Sequence, residues 1–417
     1  ARYSVDPIWK VPHFEKMLYD NAQLIRLYSR AYQLTGKEPY ARVIRQSIEF
    51  IQREMLSPDG ALFSALDADS EGEEGKYYIW TRDELEDLLG GDFDLFSEYY
   101  NINANGLWEH GRYILYRTSD PETFAAERGL DSRWFTDKIA QWNSTLLSAR
   151  SNRIAPGLDD KSLTSWASMM VSALAQAYDA LGDPQYLELA TTSAILIREK
   201  LWSKDRVLYR NYKDGHHSIP AFHIDYALYI EACLDLYASG MDQKWLDLAI
   251  ELTEVTMEQF YDQSTEMFNY NAKDAEILIA NNVETQDNVI PSSNSVMAHN
   301  LFLLGHLLVK REYLDLSTSM LKQMQGSFEQ YPNGFANWGR LILMNLNPYF
   351  EIVVAGPSAD SILESINSEY LPHALVVGST GTSNLPLFQN RFEGDLTRIF
   401  VCRDNVCQLP VENAEEA

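Results

Sequence analysis

The chain is poor in cysteine, in positive charge and in long apolar runs. Three cysteines in 417 residues are too few for a disulfide-built scaffold. Lys and Arg number 34 against 60 Asp and Glu, for a net charge of −26. That balance excludes nucleic acid and anionic membrane as partners, since both need a basic footprint. The best apolar run, LFLLGHLLV at 301–309, is broken by Gly305 and His306 and falls short of the roughly 18 residues a spanning helix requires. Walker and Rossmann glycine motifs, CxxC, HExxH and GxSxG are also missing, so no cofactor and no metal are expected. The start, ARYSVDPIWK, has no signal-peptide character and reads like the middle of a longer polypeptide. The expected location is cytoplasmic.

What is present is a repeat. Four stretches, beginning near Asp20, Leu163, Ile224 and Ser295, follow one plan of helix, short turn, second helix and hairpin. Three share the turn between the helices: AYQLTGKEPY (31–40), AYDALGDPQY (177–186) and LYASGMDQKW (236–245). The fourth keeps only its second-helix entry, KREYLDL at 310–316. A helical hairpin cannot bury its apolar face alone, so the copies must stack. The 3.6-residue period predicts helices at 13–34, 39–55, 132–150, 160–181, 184–202, 221–239, 242–261, 292–309, 311–330 and 335–346. Thr81 followed by Glu84 predicts a capping box opening a further short helix. Ten long helices with hairpins of irregular length fit an (α/α)6 six-hairpin toroid over 1–347 better than an open superhelical solenoid.

From Pro348 the pattern changes. EIVVAG (351–356), ALVVGS (374–379) and RIFVCR (398–403) read as strands, with a helix between the first two. A small α/β subdomain is expected over 348–410, then a disordered tail, 411–417. If Asp404-Asn405 is a two-residue turn, Cys402 and Cys407 face each other across the strands, within disulfide reach; two reduced cysteines fit as well. Cys233 lies inside an apolar helix and is expected in the core.

In a toroid the first helices of all hairpins point the same way, so their starts gather at one mouth. There the chain places His13 and Glu15, then Asp160, Lys161 and Trp166, then His223, Asp225 and Tyr226, then Asn294. Asp67 and Asp69, in the first hairpin loop, are expected to overhang them. Capping explains Asp159, Asp225 and Ser292 equally well; an acidic solvated loop, or a calcium loop with ill-fitting glycines, explains 67–74. Carboxylates, amides and aromatic faces together suit a polyol. Asp160 and Asp225 are the candidate acid and base for glycoside hydrolysis, with Glu15 and Asp67 as further carboxylates. His13 and His223 are the candidates for epimerisation. Asp67, Asp69, Lys161, Trp166, Tyr226 and Asn294 would bind the substrate.

Several stretches carry a family resemblance: RYSVDPIWKVPHFEKMLYDNA, FSALDADSEGEEGKYYIWT, DDKSLTSW, LWEHGRYIL, PSSNSV and VCRDNVCQLPV. Together they span nearly the whole chain, which resembles the thioredoxin-domain-containing family that includes the spermatogenesis-associated thioredoxin-like proteins. The resemblance implies an N-terminal thioredoxin-like domain, absent from this chain, then a six-hairpin toroid similar to sugar epimerases and glycoside hydrolases, then a small α/β part. On that reading the toroid here lacks its first helix. The chain departs from the family's pattern at Ala167-Ser168, where Asn-Gly is usual, at Ile224, where an acid is usual, and at Tyr113, where Asn is common. The resemblance specifies no reaction. Three functions stay open: a carbohydrate-active or carbohydrate-binding toroid; a non-enzymatic redox-partner or interaction scaffold, its mouth holding a protein segment and Cys402 and Cys407 exchanging electrons; and a degenerate member with a structural role.

Overall fold

The computed structural model describes residues 3–275, 282–403 and 406–416. In chain order the helices are α1 (Leu18–Thr35), α2 (Glu38–Glu54), α3 (Arg82–Leu89), α4 (Phe93–Tyr99), α5 (Pro121–Glu127), α6 (Ser132–Arg150), α7 (Thr164–Leu181), α8 (Pro184–Lys200), α9 (His223–Gly240), α10 (Gln243–Gln259), α11 (Ser293–Leu307), α12 (Arg311–Gln330), α13 (Ala336–Leu346) and α14 (Ala359–Asn367). The fold is mainly helical with a small C-terminal α/β part. The ten long helices of the periodicity are all present; α4 and α5 carry too short a pattern to be foreseen. One boundary moves. Helix α1 begins at Leu18 rather than His13, because Lys16–Met17 is spent on an antiparallel pairing with Ala65–Leu66.

Two compact units divide the chain. The first comprises the residues up to Met17 together with Ala65–Asp159. Its core is aromatic: Phe96, Tyr99, Tyr100, Phe124, Phe135 and Trp142 pack beside Trp80, several of them edge to face. Thr81 Oγ1 accepts from Glu84 N at 3.3 Å and Glu84 Oε2 accepts from Thr81 N at 2.7 Å, the capping box that starts α3. Arg153 gathers the preceding loop, donating to the carbonyls of Ile79 (2.7 Å) and Tyr77 (3.1 Å) while its guanidinium covers the Trp80 ring at 3.9 Å. Gly75 has φ +71° and lies against Phe14, where a Cβ would fall 2.5 Å from the ring.

The second unit takes Leu18–Ser64 and everything from Asp160 on. Hairpins α1–α2, α7–α8, α9–α10 and α11–α12 lie side by side, with α13 following α11. Helices α7, α9 and α11 are buried nearly all round, as a helix inside a large core must be. Buried Ala167, Ser168, Ala173, Ala175 and Ala177 let neighbours approach α7 closely. Helix α2 buries only one face, through Ala41, Ile44, Ile48 and Ile51.

The repeated turn has a repeated physical cause. Gly36, Gly182 and Met241 each take left-handed φ values of 62°, 69° and 56°, which ends the first helix of the hairpin. Asp183 Oδ1 then accepts from Gln185 N at 3.0 Å, and Asp242 Oδ1 from Lys244 N at 3.2 Å, starting the second. Asp183→Ala and Asp242→Ala should each lower stability by about 1 kcal/mol in urea unfolding; no shift in either midpoint would mean the turn is held by packing alone.

The C-terminal sheet runs Ala374–Ser379, Phe350–Ala355, Arg398–Arg403, Val406–Cys407, parallel in the first pair and antiparallel thereafter. Helix α14 is the crossover. Cys402 and Cys407 are directly opposite and disulfide-bonded, with Cα atoms 3.9 Å apart; the expected turn residues Asp404 and Asn405 lie outside the described residues. Cys233 is buried and free. The tail expected to be disordered is structured to Glu416: Val411 exchanges two backbone hydrogen bonds with Ile399, and Ala414 packs on the subdomain core.

Candidate functional site

The residues singled out from sequence divide between the two units. His13, Glu15, Asp67 and Asp69 belong to the first. The His13 ring stacks on Tyr3, 4.6 Å between centroids, and Asp67 and Asp69 are exposed. None of the four lies on a helix.

In the second unit, the strand Tyr209–Lys213 binds two of the predicted carboxylates. Its Lys213 Nζ is 2.6 Å from Asp160 Oδ1, and its Arg210 Nη1 donates to Asp225 Oδ2 at 3.2 Å. Asp225 is fully buried and also accepts from Phe222 N (3.0 Å) and Ser165 N (3.2 Å). Burial raises its pKa, with Arg210 opposing. Its bond back to Phe222 N starts α9, the capping role considered for it. Tyr226 Oη accepts from Leu208 N at 3.0 Å. Asn294 clamps the backbone, accepting from Phe268 N and donating to the carbonyls of Phe268 and Glu284. Trp166 meets Tyr19 edge-on at 4.8 Å, and Lys161 is exposed. His223 is fully buried between Phe260 and Phe268, with neither ring nitrogen hydrogen-bonded among the described residues; burial pushes it down to about 3, so it is neutral at pH 7.

None of these residues lines the cavity of about 680 Å3 that opens at the other end of the same helices. Its walls are the later turns of α1, α7, α9, α11 and α13, and residues 366–377 of the C-terminal subdomain form another side. Each helix brings ionisable side chains into a predominantly apolar segment: Arg26 and Arg30 from α1, Asp179 from α7, Glu231 and Asp235 from α9, His299 from α11 and Arg340 from α13. Tyr237, Tyr349 and Tyr370 add aromatic surface.

Arg26 is the centre of the cluster. Its Nη2 donates to Glu231 Oε1 at 2.9 Å and lies 3.9 Å from Asp235 Oδ2. With the Gln176 amide turned so that its oxygen faces the guanidinium, Gln176 accepts from Arg26 Nε at 3.3 Å and Nη2 at 3.1 Å. Burial works against the Arg26 charge, but Glu231 and Asp235 more than offset it and hold the group protonated. The same contest gives the two carboxyls opposite outcomes. Burial would raise Glu231, yet its bond to Arg26 keeps it below the usual range. Asp235 lacks such a bond, so burial and the Glu231 charge keep it raised against the pull of Arg26. Both side chains keep some surface open, 16% and 23%, so water reaches them. Two carboxyls one helical turn apart, with pKa values driven in opposite directions, are what acid–base chemistry requires.

His299 Nε2 lies 2.9 Å from the Asn337 carbonyl, which can only accept, so Nε2 carries the proton and Nδ1 is the ring's acceptor. Burial, with Arg340 nearby, pushes His299 down to about 3. Asp179 accepts from Ser239 Oγ at 2.9 Å and is pushed up to about 8, mainly by burial. It is largely protonated at neutral pH.

This cluster lies away from the helix starts, where the sequence placed its candidates. A signal was available. Helices α7 and α13 each carry a single charged residue, Asp179 and Arg340, and the apolar body of α9 carries Glu231 and Asp235. An ionisable group in a helix that is buried all round must find a partner inside.

No protein-family model matches the chain. Human spermatogenesis-associated protein 20 is 29% identical over 459 residues, covering 98% of this chain and 58% of that protein. An uncharacterised protein of Caenorhabditis elegans is 26% identical over 462 residues, covering 100% of this chain and 62% of its own length. The chain thus spans less than two thirds of the curated relatives it matches. Among solved structures, a sugar epimerase from a ruminal bacterium aligns with 75% of this chain and 61% of its own, at 11% identity and a TM-score of 0.46. A family 76 α-mannanase from Bacteroides thetaiotaomicron covers 89% and 81%, at 14% identity and a TM-score of 0.46.

Proposed function

We propose that this chain, 29% identical to spermatogenesis-associated protein 20, is a carbohydrate-active or carbohydrate-binding protein whose sugar site is the charged cavity between α1, α9, α11 and α13. One observation carries the reading: Glu231 and Asp235 line that cavity in opposite protonation preference, beside the neutral ring of His299. A cavity of about 680 Å3 holds a mono- or disaccharide. Carboxylates, guanidinium groups and the amide of Asn300 bond hydroxyls, and Tyr237 and Tyr349 offer ring faces. In hydrolysis, Asp235 would protonate the leaving oxygen and Glu231 would activate water. In epimerisation or isomerisation, His299 Nδ1 or Glu231 would take the proton from the sugar carbon and Asp235 would return one. The helix-start group around Asp160 and Asp225 is the second place where a sugar could bind.

The test is an NMR panel of mono- and disaccharides at millimolar concentration, following anomeric and epimer signals. Turnover or binding that Glu231→Gln removes supports the reading. Absence of both turnover and binding across the panel overturns it.

The Cys402–Cys407 disulfide favours a second reading. The resemblance implies a thioredoxin-like domain in longer relatives, and a reduced dithiol on such a domain would transfer two electrons, becoming a disulfide as Cys402 and Cys407 become thiols. Alkylation followed by mass spectrometry reads the exchange; a disulfide untouched by the reduced domain removes the cysteines from the function.

A further inference from the structure

The cavity's charges do not all pair with one another. Three arginines, Arg26, Arg30 and Arg340, share the walls with Glu231, Asp235 and the exposed Glu369, and among the described residues only Arg26 of the three is bonded to a carboxylate. Arg340 Nη1 donates to the neutral Asn337 Oδ1 at 2.9 Å. The Arg30 side chain has no hydrogen bond or ion pair among the described residues. Burial and the charges of Arg340 and Arg26 push Arg30 down to about 9, and burial and Arg26 lower Arg340 as well. Both still carry their charge at pH 7 and repel each other. Asp179, the remaining buried acid on the wall, is largely neutral at that pH. Guanidinium groups held in a wall without a carboxylate partner are costly to keep, and their fork matches carboxylate and phosphate.

We propose that the cavity takes a sugar bearing an anionic group, a carboxylate or a phosphate, and that Arg30 and Arg340 hold that group. The inference rests on the carbohydrate reading for the body of the ligand and on the unpaired arginines for its charge. The sugar ring then lies toward Glu231, Asp235 and His299, with the anion toward α1 and α13. Neutral sugars leave the two guanidinium groups facing each other, so they bind less tightly.

The experiment is isothermal titration of the full chain at fixed ionic strength with glucose, glucuronate, glucose 6-phosphate and inorganic phosphate, the middle two separating carboxylate from phosphate. At least one anionic sugar should bind on the order of tenfold or more tighter than glucose. Arg30→Met and Arg340→Met should each abolish that margin. Arg30→Met, which removes one of two repelling charges and no side-chain hydrogen bond, should not lower Tm. Arg30→Lys, which keeps the charge but not the fork, should retain part of the margin and serves if a methionine variant does not fold. Glucose binding as tightly as both anionic sugars overturns this inference and leaves the carbohydrate reading standing. Arg30-dependent phosphate binding with no sugar bound overturns the carbohydrate reading and keeps the anion site. No binding by any of the four overturns both.

Discussion

Replacing Glu231 with alanine should cost about 3–5 kcal/mol of stability, because it strands a buried guanidinium without its carboxylate. Arg26 has Glu231 as its close partner at 2.9 Å, and Asp235 stands off at 3.9 Å. Water in the cavity softens the loss toward the lower end of that range. The pair need not be net stabilising: its desolvation offsets much of its attraction. The double change Arg26→Met with Glu231→Leu should therefore recover most of what Glu231→Ala loses. Urea unfolding of the three variants measures this. A loss below about 1 kcal/mol for Glu231→Ala, the size of an exposed pair, would show that the cavity is wet enough to screen the charges.

Asp179 should make the protein lose stability as pH rises, and Asp179→Asn should remove that loss. The carboxyl's ordinary value is 3.8, and burial in the fold pushes it up to about 8. Between those values the native state holds a proton that the unfolded chain has released. Stability from this group is thus fully present below pH 3.8 and is lost as pH rises through about 8. The asparagine variant keeps an acceptor for Ser239 Oγ and never ionises. Its stability relative to the parent should be near zero at pH 4 and grow to on the order of a few kcal/mol above pH 8. Parallel pH-stability curves for the two proteins would mean that Asp179 is ionised in the fold at neutral pH.

The helical hairpins were legible in sequence because two local signals agreed. The 3.6-residue period fixed each helix body, and the Gly or Met followed by Asp or Pro fixed the turn, which the structure explains through the left-handed φ of Gly36, Gly182 and Met241 and the caps of Asp183 and Asp242. The start of α1 was not legible, because the pairing of Lys16 with Leu66 is a contact distant in sequence. The cavity was hidden for the same reason. Arg26, Glu231, His299 and Arg340 lie on four helices, and nothing local in any one of them says that the charges meet. His223 shows the converse: its position at a helix start read as chemistry, while its surroundings, Phe260 and Phe268, are decided by packing.

The place of the sugar decides between the two ends of the helices. The most direct measurement is a crystal structure of the chain soaked with a sugar that binds in titration. The ligand is expected against Glu231, Asp235 and His299, with any anionic group on Arg30 and Arg340. Sugar bound instead at the helix starts beside Asp160 and Asp225, with the cavity holding only water, would contradict it.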